Sequence, residues 1–169
     1  MLKRFVLLAC ALLAMNGFAS RASAADFWLS GVLRFTDTTV SECWVVLRGG
    51  VSSTAPPGEF SGTITSATFS SVGLYSWTCG LFLTPTGAPW FIDYDTYSVH
   101  PVRITNFGYL HPLGQCVGTL SAHSQNLSAA PVDGQYVYFN GFSSSVPGSP
   151  GFCQIDGMLT YSTTPPIFP

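Results

Sequence analysis

Apolar side chains recur at every second position through most of this chain, in short runs separated by Gly-, Pro- and Ser-rich stretches. The densest stretch is residues 62–92, GTITSATFSSVGLYSWTCGLFLTPTGAPWFI. Its Thr, Ile, Phe, Tyr and Trp suit a pleated, half-buried surface, and it reads as three strands joined by turns. Tyr75, Trp77, Cys79, Leu81 and Leu83 fall on one face at period two. Thr84-Pro85-Thr86-Gly87-Ala88-Pro89 breaks the run, and Trp90 and Ile92 begin the next.

The same alternation predicts strands over residues 28–35, 40–48, 60–70, 90–97, 102–110, 115–122, 135–142 and 152–161. Cys43, Val45 and Leu47 share one face, as do Trp90, Ile92 and Tyr94, and Cys153, Ile155, Leu159 and Tyr161. Ile64 and Phe69 have opposite parity, which predicts a bulge at Thr65-Ser66-Ala67. Residues 49–58, 123–134 and 143–151 read as loops. No helical period is sustained. About nine short strands with frequent turns predict an all-β, disulfide-bonded fold, a two-sheet antiparallel sandwich of immunoglobulin-like or Greek-key type. A closed β-barrel is the alternative.

The amino terminus changes the picture of where the protein works. Lys3 and Arg4 precede an apolar run over residues 5–15, and Ala22-Ser23-Ala24 has the small-x-small pattern of a cleavage site. Residues 1–24 therefore read as a cleaved secretory signal, since the run is too short to span a bilayer. Residues 25–162 form one β domain, and residues 163–169 a flexible tail. The remaining 145 residues contain no lysine, three arginines and eight acids, a formal charge of −5. The absence of a basic surface argues against nucleic-acid partners and against attraction to anionic lipid. Charged residues are scarce, and 18 serines and 16 threonines replace them. Exposed strand faces must then be largely hydroxyl-bearing and aromatic, a surface that repels its neighbours only weakly.

Beyond the signal, Cys43, Cys79, Cys116 and Cys153 lie 36, 37 and 37 residues apart. An even count in an exported chain predicts two disulfides, and the absence of close cysteine pairs argues against zinc. Three connectivities exist. Cys43–Cys79 with Cys116–Cys153 is favoured, because each would clip strands joined by a moderate connection. Leu47, Leu83 and Leu120 each follow a cysteine by four residues, but the flanks do not otherwise repeat.

Candidate chemistry is sparse. His100, His111 and His123 read as surface turn or loop residues whose spacing matches no metal motif. Asp93 and Asp95 read as a solvated strand face, lacking a calcium loop and too close in sequence to flank a glycosidic bond. No G-x-S-x-G elbow is present, and Asn126-Leu127-Ser128 matches a glycosylation sequon. No catalytic, cofactor-binding or metal-binding residues are assigned, and the protein is expected not to be an enzyme. Phe107, Tyr109, Tyr136, Tyr138 and Phe142 lie opposite the expected core parity of their strands. They are the candidate apolar surface for adsorption or self-association.

Several segments in order resemble a known family. They are Gly62-Thr63-Ile64-Thr65-Ser66-Ala67-Thr68-Phe69-Ser70, Cys79, Gly87-Ala88-Pro89-Trp90, Val102-Arg103-Ile104-Thr105-Asn106, Cys116-Val117-Gly118-Thr119-Leu120 and Cys153-Gln154-Ile155-Asp156-Gly157-Met158-Leu159. Together they resemble the protein activators of alkane oxidation, small exported bacterial proteins of the PraA and PraB type. The resemblance spans nearly all of the chain beyond the signal. It implies secretion to the medium, the periplasm or the cell surface, and a role in growth on alkanes. It implies no catalytic residues. The expected partner is a hydrophobic substrate or the cell surface, with no membrane span. An adhesin or extracellular fibre subunit is the alternative, and a secreted hydrolase a distant third.

Overall fold

β-Branched and aromatic side chains at alternate positions give each strand one apolar face, and this face turns inward almost everywhere. The computed structural model describes residues 25–37, 39–52, 59–72, 79–95, 101–125, 132–141, 144–148 and 151–167. These residues form ten strands and no helix: β1 (Asp26–Thr36), β2 (Val40–Val51), β3 (Glu59–Ser71), β4 (Thr84–Pro85), β5 (Trp90–Asp95), β6 (Val102–His111), β7 (Gly114–Gln125), β8 (Tyr136–Phe139), β9 (Ser145–Gly148) and β10 (Gly151–Ser162). Residues 1–24, read above as a signal, and residues 73–78, with Tyr75 and Trp77, lie outside the described set.

The sheet closes on itself. Antiparallel pairing runs β1-β2-β3-β5-β6-β7-β8-β10 and returns to β1, so eight staves form an up-and-down barrel. This corrects the sandwich expectation in favour of its alternative. A meander of long strands has no crossover to divide it into two sheets, and its local kinks supply the curvature that closure needs. One kink is the expected bulge: Arg48 pairs with Ser66 and Gly49 with Ile64, leaving Thr65 as the extra residue. A second was not expected. β6 advances from Ile104 to Phe107 while β7 advances only from Leu120 to Gly118, and Asn106 takes a left-handed φ of 63°. Gly157, at φ 126°, lets β10 approach β1 where a Cβ would overlap the Val32 carbonyl.

The structure differs from the sequence pattern at two segments. Residues 143–151 are not wholly loop, because they contain β9. β8 and β9 lie between the same neighbours, β7 and β10, and form one interrupted stave. Ser144 is buried in the gap and bridges it: its Oγ donates to the Ser121 carbonyl at 2.5 Å and accepts from Asn140 N–H at 3.1 Å. Cys79–Leu83, expected to continue a strand, is a turn.

Aromatic rings fill much of the interior. Phe27 packs between Phe60 and Tyr161 near one end. Phe35, Phe69, Tyr109, Phe107 and Trp90 form a continuous chain of ring contacts toward the other, with centroids 4.8–6.5 Å apart. Trp90 Nε1 donates to the Thr86 carbonyl at 2.7 Å. The disulfides are Cys43–Cys79 and Cys116–Cys153, as favoured from spacing.

Candidate functional site: an apolar rim over a buried polar cluster

Alternating strand direction brings the β1–β2, β3–β5, β6–β7 and β9–β10 connections to one end of the barrel. Fourteen large apolar side chains are exposed among the described residues, and seven of them ring this end. Val40 begins β2, Val72 follows β3, Leu81 and Phe82 sit in the Cys79–Leu83 turn, Leu110 is in the last residues of β6 and Leu113 in the β6–β7 turn, and Phe152 lies at the start of β10. Leu81, Phe152 and Leu113 are 74%, 73% and 59% exposed. Charge lies mainly at the opposite end: Asp26, Arg48, Glu59, Asp93, Asp95, Arg103 and Asp133 fall in or near its strand termini and connections. There Arg48 pairs with Asp26 at 2.8 Å and lies over Trp28.

Covalent bonds hold the rim in place. Leu81 and Phe82 are bracketed by Cys79, bonded to Cys43, and by the buried Leu83. Leu113 lies between His111 and Cys116, and Phe152 adjoins Cys153, which is bonded to Cys116. Rim side chains on such tethered turns cannot fold inward without displacing filled core.

Beneath the rim lies a polar cluster that was not anticipated. His111, expected at the surface, is buried: its side chain is 1% exposed, and Nδ1 lies 3.3 Å from Oδ2 of Asp37, itself 7% exposed. Asp37 Oδ1 accepts from Thr39 N–H at 2.7 Å, which closes the β1–β2 turn. His111 Nε2 and the Tyr109 hydroxyl are buried without a hydrogen-bond partner among the described residues. Burial, and secondarily the charge of Asp37, pushes the Tyr109 phenol well above its ordinary pKa. That phenol stays protonated near neutrality and is no nucleophile there.

The predicted surface aromatics divide. Phe107 and Tyr109 are buried, which corrects their assignment to the surface: the extra residue at the β6 bulge reverses parity, so Phe107, Tyr109 and His111 follow Val102 and Ile104 inward. Tyr138 is exposed and faces Met158 on the outer wall, while Tyr136 is half-buried. Phe142, His100 and the Asn126 sequon lie outside the described residues, and His123 is half-buried. Asp93 and Asp95 are likewise half-buried. Phe91, Thr105, Asn106, Val117, Gly118 and Thr119 border an open groove of about 500 Å³ beside the β6 bulge.

Outward positions along the wall include Arg34, Glu42, Arg48 and Arg103 with many Ser and Thr, and the interior is largely apolar apart from the cluster under the rim and a few buried serines. That polarity is the reverse of a lipid-embedded barrel. No helix among the described residues is long and apolar enough to cross a membrane. Comparison with family models, curated proteins and solved structures found no match for this chain.

Proposed function

We propose that this is an exported, non-enzymatic protein that adsorbs to hydrophobic substrate through the apolar rim and thereby aids bacterial growth on alkanes. The carrying observation is the asymmetry of the barrel, with exposed Leu and Phe side chains ringing one end and most charge at the other. Such a body gains free energy by standing at an oil–water boundary with its rim in the oil. Two disulfides agree with an oxidising compartment. The alkane role rests on the resemblance in sequence. The fibre alternative is less well supported, because the eight staves close into a cycle with no terminal strand, and among the described residues the main one-sided stretch is the part of β3 beyond Ile64.

Interfacial tension at a hexadecane–water drop tests this reading. Native protein should lower the tension. A Leu81→Ser, Leu113→Ser, Phe152→Ser variant should lose on the order of 4 kcal/mol of adsorption energy, close to a thousandfold in affinity. A Tyr138→Ser, Met158→Ser wall variant should adsorb like the native protein. Equal adsorption by the rim variant would remove the rim from the account. Deleting the gene should slow growth on hexadecane and leave growth on succinate unchanged; equal growth on both would remove the alkane role.

A further inference from the structure

The buried cluster under the rim has the parts of a metal site. A ring nitrogen of His111 and the sulfurs of Cys116 and Cys153 all lie within 4.8 Å of one another, and all three residues are buried. A metal held by thiolates at about 2.3 Å and an imidazole at about 2.1 Å keeps its ligand atoms within that same span once reduction lets the two bonded sulfurs move apart. The Asp37 carboxylate beside Nδ1 favours the proton on that nitrogen and leaves the lone pair on Nε2. Metal-binding histidines are oriented by a carboxylate in the same way. Nε2 is buried with no partner among the described residues, a costly arrangement for a nitrogen that does nothing else.

We propose that, when Cys116–Cys153 is reduced, Cys116, Cys153 and His111 bind a thiophilic d¹⁰ cation such as Zn²⁺, with Asp37 as the positioning residue. A dithiol reductant delivers two electrons and two protons to the disulfide and is itself oxidised to a disulfide. Zn²⁺ then displaces the two thiol protons, which pass to solvent. Two thiolates and a neutral imidazole around a divalent ion carry no net charge, which suits a buried site. Strands β7 and β10 are thus clipped together by sulfur–sulfur bonding in oxidising surroundings and by metal in reducing ones. Gly148 lies against these sulfurs, where a Cβ would overlap Cys153 Sγ, so the backbone of β9 roofs the site.

The test uses the mature protein with Cys43→Ala and Cys79→Ala, which leaves only the proposed sulfur pair, reduced with a phosphine and titrated with Co²⁺ and then Zn²⁺. One Co²⁺ per chain should bind with a thiolate-to-cobalt charge-transfer band and tetrahedral d–d bands, and Zn²⁺ should displace it. His111→Phe should weaken Zn²⁺ binding at least tenfold, and Asp37→Asn about tenfold. If the reduced chain unfolds, Zn²⁺ should restore its β-sheet circular dichroism. Absence of the thiolate band in folded reduced protein, undiminished affinity in His111→Phe, equal binding by the disulfide-intact protein, or a reduced chain that stays unfolded at saturating Zn²⁺ would each overturn the proposal.

Discussion

Tyr109 touches Phe35, Phe69, Phe107 and His111 with its ring but leaves its hydroxyl buried without a partner among the described residues. The ring contributes packing, and the oxygen costs solvation. Its folded pKa is raised above the ordinary 10.0, by burial first and the Asp37 charge second. Below pH 10 both states hold the proton and the stability is fully present. As pH rises past 10 the unfolded chain loses the proton while the folded protein keeps it, so stability falls toward the folded pKa. Tyr161 is shifted the same way, by burial and then by Asp133, and shares the effect. Tyr109→Phe should therefore flatten part of the alkaline loss of stability in urea titrations between pH 9 and pH 11, and at pH 7 should be neutral or stabilising by up to about 1 kcal/mol. A loss above about 1 kcal/mol at pH 7 with an unchanged alkaline slope would mean that the hydroxyl has a partner. Nothing in the local sequence marks Tyr109 or His111 as interior. His111-Pro112-Leu113-Gly114 has the composition of a surface turn, and the histidine turns inward because of a parity change five residues earlier.

The two bulges differ in how well the sequence announces them. At Thr65, inward Ile64 and Phe69 have opposite parity and the residues between are small or hydroxyl-bearing, so only an inserted residue reconciles them. At β6 the segment Val102–His111 has apolar residues on both parities, so either face could be inward and the bulge is invisible until β7 is paired. Most strands are legible because period two survives over most of their length, and both disulfides are legible from spacing and compartment. β9 is not, since Ser145-Val146-Pro147-Gly148 has one apolar β former and gains its strand character from β10. Asn106 supplies a direct test of the second bulge. Asn106→Gly suits the left-handed φ and should change stability by less than about 1 kcal/mol, whereas Asn106→Val should cost about 1–2 kcal/mol beyond that. Equal urea midpoints for the two variants would contradict the left-handed bulge.

At the scale of the whole molecule, alternation fixes which residues are inside wherever no bulge intervenes, but leaves open whether the last strand returns to the first. A sandwich and a barrel share the same inward pattern, and here the distinction lies in β10 pairing with β1 and β6 with β7. The apolar rim was hidden for a related reason. Its members come from four connections scattered between Val40 and Phe152, and only closure gathers them at one end. The central claim is that this rim, on an intact barrel, is what meets oil. Hydroxyl-radical footprinting of native protein in buffer and on hexadecane droplets tests it most directly. The account predicts protection of Leu81, Phe82, Leu113 and Phe152 on droplets, with Tyr138, Met158 and Val132 labelled as in buffer and the buried Trp90 unlabelled in both. Protection centred on the wall, or new labelling of Trp90 on the droplets, would contradict it, since the first would place contact away from the rim and the second would mean that an opened core binds the oil.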